Sequence, residues 1–130
     1  MPLDYRIIAA ERRVLTAGSG KVTFPDAVAL MRAMVADKAI DPAYSELVDL
    51  RSIQSIDLSA EQIAELAKTR IFAATSRRAI VAPVPLSFGM ARMYEAHHIS
   101  GGPATLRVFT GLKEALEWLD AESSAEPNPG

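Results

Sequence analysis

Two rhythms of hydrophobic and polar positions run through this chain, and they alternate along its length. Short apolar runs at Tyr5–Ala10 and Arg13–Ala17, separated by Glu11 and Arg12, predict a β-hairpin. Gly18, Ser19 and Gly20 then predict a flexible turn. Ala27, Leu30, Met31 and Met34 recur at i, i+3, i+4 and i+7, one apolar helical face. Thr23 and Asp26 stand at capping-box spacing before it, and Pro25 falls in the first turn, where its missing N–H costs nothing. The Asp41-Pro42 pair marks the following turn.

Glu46–Arg51 reads as a short strand, with a loop after it. A second helix starts at Ser59, which forms a capping box with Gln62, buries Ile63, Leu66 and Ala67, and closes near Thr75-Ser76. Ala79–Ala82 is the most apolar run in the chain, the pattern of a strand covered on both faces, and Pro83 and Pro85 stop it. Ser87 is the expected cap of a third helix, with Met90, Met93, Tyr94 and His97 at helical spacing. Leu106–Phe109 is the last strand. Leu112, Ala115, Leu116 and Leu119, with Trp118 beside them, form the inner face of the last helix.

Alternating strands and helices predict an α/β domain with right-handed crossovers: an N-terminal β-hairpin, a mostly parallel mixed sheet of about five strands, and four helices. One domain over residues 1–122 is expected, with a disordered polar, Pro/Gly-rich tail at 123–130.

Composition narrows the function classes. Net charge is −2, from 14 basic and 16 acidic residues mixed along the chain, so the basic excess of a nucleic-acid binder is missing. There is no cysteine, which excludes disulfides, thiolate metal sites and a cysteine nucleophile, and suits a cytoplasmic location. The stretch MPLDYRIIAAERR is too charged for a signal peptide, and no run approaches the ~18 apolar residues of a membrane span.

Motifs for chemistry fail in turn. Gly20-Lys21 would close a phosphate loop only with Gly at position 15 and Ser or Thr at position 22, which hold Leu15 and Val22. No G-x-G-x-x-G is present. A receiver-type site would need paired acids after the first strand and a Lys after the last, and Ala17 and Thr110 stand near those places. His97 and His98 are neighbours about 100° apart on a helix, so they do not share a metal, and the expected reading is a cation at a helix end. No cofactor, metal or catalytic residue is expected, and the chain reads as non-enzymatic.

The segments LVDLRSI (47–53), RRAIVAP (77–83), FGMARMYE (88–95) and VFTGLKEALEWL (108–119) together resemble the SpoIIAA-like family, a branch of the STAS-type domains related to anti-anti-sigma factors. The resemblance covers about residues 5–120. It implies a STAS-type α/β fold and a regulatory module with a protein partner. In regulatory STAS proteins the phosphorylated Ser directly follows an Asp at the start of the second helix. Asp57 matches that Asp here, but Leu58 follows it and Ser59 comes one position later. The phosphoacceptor is therefore expected to be missing. The expected partner surface is the segment 52–59, centred on Ser52, Asp57 and Ser59.

The resemblance also extends to a comparison with CRAL-TRIO lipid-transfer domains, which implies an alternative: a carrier or sensor of a small apolar, lipid-like ligand. The groove for it would lie between helices and sheet, with Phe88, Met90, Met93, Tyr94 and Trp118 as its residues. The oligomeric state is left open, with a homodimer favoured.

Overall fold

Tyr5 and its neighbours form the hairpin that the apolar runs predict. In the computed structural model, which describes residues 2–124, β1 (Leu3–Ile8) pairs antiparallel with β2 (Arg13–Thr23), Leu3 opposite Gly18 and Ile8 opposite Arg13. A 3₁₀ turn at Ala9–Glu11 joins them, and Arg12 closes it in the left-handed region at φ 52°. The chain continues through α1 (Phe24–Ala36), β3 (Ser45–Asp57), α2 (Ala60–Leu66), β4 (Arg77–Val81), α3 (Pro85–Ser100), β5 (Thr105–Phe109) and α4 (Leu112–Ser124). The strands lie side by side in the order β1-β2-β3-β4-β5, parallel from β2 onward.

Because the parallel strands follow one another in sequence order, every crossover steps the same way. Right-handed crossovers then put α1, α2 and α3 on one face of the sheet. Val22, Ala27 and Leu66 share one apolar cluster on that face, and Ile80, Ala82, Ala91 and Leu106 share another. α4 covers the opposite face, where Leu47, Ala79 and Val81 pack on Ala115 and Leu119. Strand alternation is plain in β4: Ala79 and Val81 face α4, and Ile80 faces α3.

Both capping boxes form. Thr23 and Asp26 close the start of α1, and Ser59 and Gln62 close the start of α2. Four expectations change. Gly18–Gly20 is not a turn: β2 runs straight through it, pairing with β3 to Thr23 opposite Asp57. A Cβ at Gly18 would sit 2.7 Å from Ile53 Cδ1 and 2.8 Å from Leu3 Cδ2, so the glycine serves a close approach. Gly20, at φ +66°, serves a register shift. α2 ends at Leu66, not near Thr75, and the chain then turns so that Ile71 and Phe72 pack under α1. α3 starts at Pro85 with Val84 as its N-cap, and the Ser87 hydroxyl lies inside the first turn, donating to the Val84 carbonyl (3.1 Å). The expected tail from 123 is helical at Ser123 and Ser124; residues 125–130 lie outside the described residues.

β3 carries a further irregularity that shapes the site. Between Ala17↔Asp49 and Ser19↔Ser52, and again between Gly20↔Ile53 and Lys21↔Ser55, β3 advances one residue more than β2. Each extra residue reverses which side chains face the helices. The residues facing α1–α3 accordingly run Val48, Leu50, then Ile53, then Ile56.

Candidate functional site

Those four side chains floor a cavity of about 170 Å³ between the sheet and α1–α3. Leu30, Met31 and Met34 of α1 wall it on one side, and Met90, Ala91 and Tyr94 of α3 on the other. Leu58, Ile63 and Leu66, at and within α2, complete it. The lining is almost wholly aliphatic, and the three methionines are flexible enough to follow an occupant's shape.

One end of the cavity is polar. Glu46 and Arg78 are directly opposite each other on β3 and β4. Glu46 is 4% exposed and Arg78 9%. Arg78 Nε donates to Glu46 Oε1 (3.1 Å), and the Thr16 hydroxyl donates to Glu46 Oε2 (2.7 Å). Burial works against the Arg78 charge, but the Glu46 carboxylate and the Tyr94 phenol oxygen outweigh it, and the guanidinium is held more firmly protonated than usual.

His98, near the end of α3, sits behind this pair and is 2% exposed. Arg78 Nη1 (3.0 Å) and Arg70 Nη1 (3.3 Å) both point at its Nε2. Guanidinium groups only donate, so Nε2 accepts, and Nδ1 carries the proton that it donates to the Ala67 carbonyl (2.8 Å). Tyr94 stacks on the ring, centroids 5.5 Å apart at 11°. Arg70 also donates to the carbonyls of His98 and Pro103, tying the loop after α2 to the end of α3. His98 is thus a neutral buried linker, unlike the helix-end cation expected from its position.

Burial, with the two arginines adding to it, pushes the His98 pKa below the usual histidine value despite the Ala67 bond. The folded state therefore binds fewer protons than the unfolded chain just below pH ~6.5. Stability that is present above that pH falls as pH drops from about 6.5 toward the lower folded pKa. Denaturant melts between pH 7 and 5 should show this slope, and His98→Gln should flatten it. An unchanged slope in the variant would assign the dependence elsewhere.

The structure spreads the sequence-predicted residues over three places. Ser52, Asp57 and Ser59 are all exposed, on the outer part of β3 and at the start of α2. The Ser59 oxygen accepts from the Gln62 backbone N–H (3.1 Å). Ser59→Ala should cost about 1 kcal/mol in a denaturant melt; no loss would mean the cap is replaced by water. Met90 and Tyr94 line the cavity. Phe88 packs with Val48, Leu50 and Ile80 on the same face, with Arg92 over its ring at 5.9 Å. Met93 is half-buried outside the lining. Trp118 is across the sheet on the α4 face, beside Phe109 and under Arg77 at 4.8 Å. Sequence reasoning missed Thr16, Glu46 and Arg78 as site residues and read His98 only as a helix-end cation. Among the described residues no group of three or more His, Asp or Glu is placed to hold a metal, and no helix is long and apolar enough to cross a membrane.

No protein-family model and no curated protein matches this chain. Solved structures do match. An uncharacterised Shewanella loihica protein with a SpoIIAA-like fold aligns at 19% identity and TM-score 0.55, over 90% of this chain and 91% of its own. An anti-sigma factor antagonist from Mycobacterium paratuberculosis aligns at 19% identity and TM-score 0.55, over 91% and 94%. The anti-sigma factor antagonist SpoIIAA in its unphosphorylated form aligns at 10% identity and TM-score 0.54, over 91% and 97%. The chain therefore has a SpoIIAA-like fold, the class that its four sequence segments resemble.

Proposed function

We propose that this domain is a non-enzymatic regulatory module that binds a small apolar molecule between its sheet and α1–α3. The observation that carries this reading is the cavity of about 170 Å³, aliphatic on its walls and lined by Met31, Met34 and Met90. Folded interiors are close-packed, and voids of this size are few. Native mass spectrometry of freshly purified protein, beside a denaturing spectrum, tests it. Extra mass that vanishes on denaturation is the expected result, and the same spectra read whether the chain is a homodimer. A bare chain mass in both would count against a carrier.

A second reading is a protein-partner surface at 52–59, and the alternation of that segment favours it. Ile53, Ile56 and Leu58 line the cavity, while Ser52, Asp57 and Ser59 face solvent on a paired strand and a capped helix start. The slot where a regulatory STAS protein would carry its phosphorylated Ser holds the inward Leu58, which supports a module not switched by phosphate there. The anti-sigma factor antagonists among the structural neighbours make a protein partner in a regulatory pathway the natural class. Asp57→Lys should abolish a pull-down of such a partner while leaving Tm unchanged. A variant that loses Tm instead would make Asp57 structural.

A further inference from the structure

The polar end of the cavity restricts what the cavity can hold. Glu46 and Arg78 cancel in charge: Arg78 Nε and Nη1 donate to Glu46 and His98, and the Thr16 hydroxyl donates to Glu46. The Ser87 hydroxyl at the wall donates to the Val84 carbonyl. Among the described residues no buried side-chain nitrogen or oxygen lacks a partner. A ligand carboxylate or phosphate placed there would face the Glu46 carboxylate, and the nearest positive charge, Arg78, is already paired with it. Burying such a charge without a counter-charge of its own is costly.

Size gives the second restriction. Aliphatic-lined cavities of about 150 Å³ stay dry and take up benzene. At about 170 Å³ this one matches a single substituted ring and is too small for a long acyl chain. Resting on the ligand-binding reading above, we infer that the cavity takes a small uncharged apolar molecule, of the size of a one-ring hydrocarbon, and excludes fatty acids. Its walls suit such a guest: methionine sulfur and methyl groups contact ring edges favourably, and Tyr94 offers an aromatic side.

The test uses two probes on the full chain, ethylbenzene and dodecanoate. Ethylbenzene should raise Tm by roughly 4 °C at ten times its Kd, and dodecanoate should leave it unchanged. Met90→Trp fills the cavity from α3 and should abolish the ethylbenzene shift. If that variant fails to fold, Met31→Phe fills it from α1 and should weaken the shift at least tenfold in apparent Kd. A shift from dodecanoate that matches or exceeds that of ethylbenzene overturns the inference but leaves an apolar-ligand site standing. No shift from either probe overturns both. An ethylbenzene shift that survives in the folded filling variant places binding elsewhere and also overturns it.

Discussion

Arg78→Met should destabilise the domain by about 3–5 kcal/mol, because it leaves the Glu46 carboxylate buried without its counter-charge. Few other single changes should cost as much. Glu46 and Arg78 face each other across β3 and β4 under three helices, so water cannot replace the lost partner. The remaining Thr16 hydroxyl gives Glu46 one hydrogen bond and no charge. His98 keeps Arg70 at its Nε2, so the helix end should stay attached while the strand pair weakens. The double variant Glu46→Leu/Arg78→Met should recover most of the loss, since well-packed apolar groups replace buried ion pairs at little cost. Denaturant melts of the two singles and the double decide it. A loss below about 1 kcal/mol for Arg78→Met would mean the pair is solvated.

Leu119→Ala should cost about 3–5 kcal/mol on the opposite face. Leu119 is 1% exposed and is among the largest fully buried side chains. It packs with Leu47, Ala79, Val81 and Ala115, and two of those four are alanines. Its buried neighbours lie on paired strands and on α4 itself and have little freedom to move into the hole, so the cost belongs at the upper end of the range for such truncations. The same truncation at Met90, beside the existing cavity, should cost much less, because fewer close contacts are lost there. Equal losses at the two positions would mean that the α3 side is packed as tightly as the α4 side.

What was legible in the sequence is what local chemistry decides. Thr23 with Asp26 and Ser59 with Gln62 announce helix starts because capping needs only neighbouring residues. The run at Ala79–Ala82 announces a central strand because both faces are covered. The resemblance to SpoIIAA-like domains agreed with the fold found among solved structures. The glycines at Gly18 and Gly20 misled, since a turn and a close strand approach use the same residue for the same lack of a Cβ. The shifts in β3 were invisible for a related reason. They space the inward residues Leu50, Ile53 and Ile56 by three, which matches neither strand alternation nor a helix.

The polar end of the site was hidden more thoroughly. Glu46 and Arg78 lie at the edges of apolar runs, where charged residues normally face water, and they meet only through the sheet register. On α3 the buried face is Ser87, Ala91, Tyr94 and His98, spaced by four, three and four residues. Two of those are polar, so an apolar stripe does not reveal the face. The resemblance points to Met90 and Tyr94, which lie in the cavity wall, and equally to Trp118, which lies across the sheet. Position relative to the sheet faces depends on which face α4 folds back over after β5, which periodicity alone does not report.

The central claim is that the space between the sheet and α1–α3 receives an apolar guest. The methionines provide the most direct reading. Met31, Met34 and Met90 line the cavity, and Met93, one turn along the same helix as Met90, does not. Methyl-labelled methionine NMR spectra, recorded during titration with ethylbenzene, should show saturable shifts at Met31, Met34 and Met90 with a common Kd, and a still Met93. Three silent cavity methyls, or a shift confined to Met93, would contradict it.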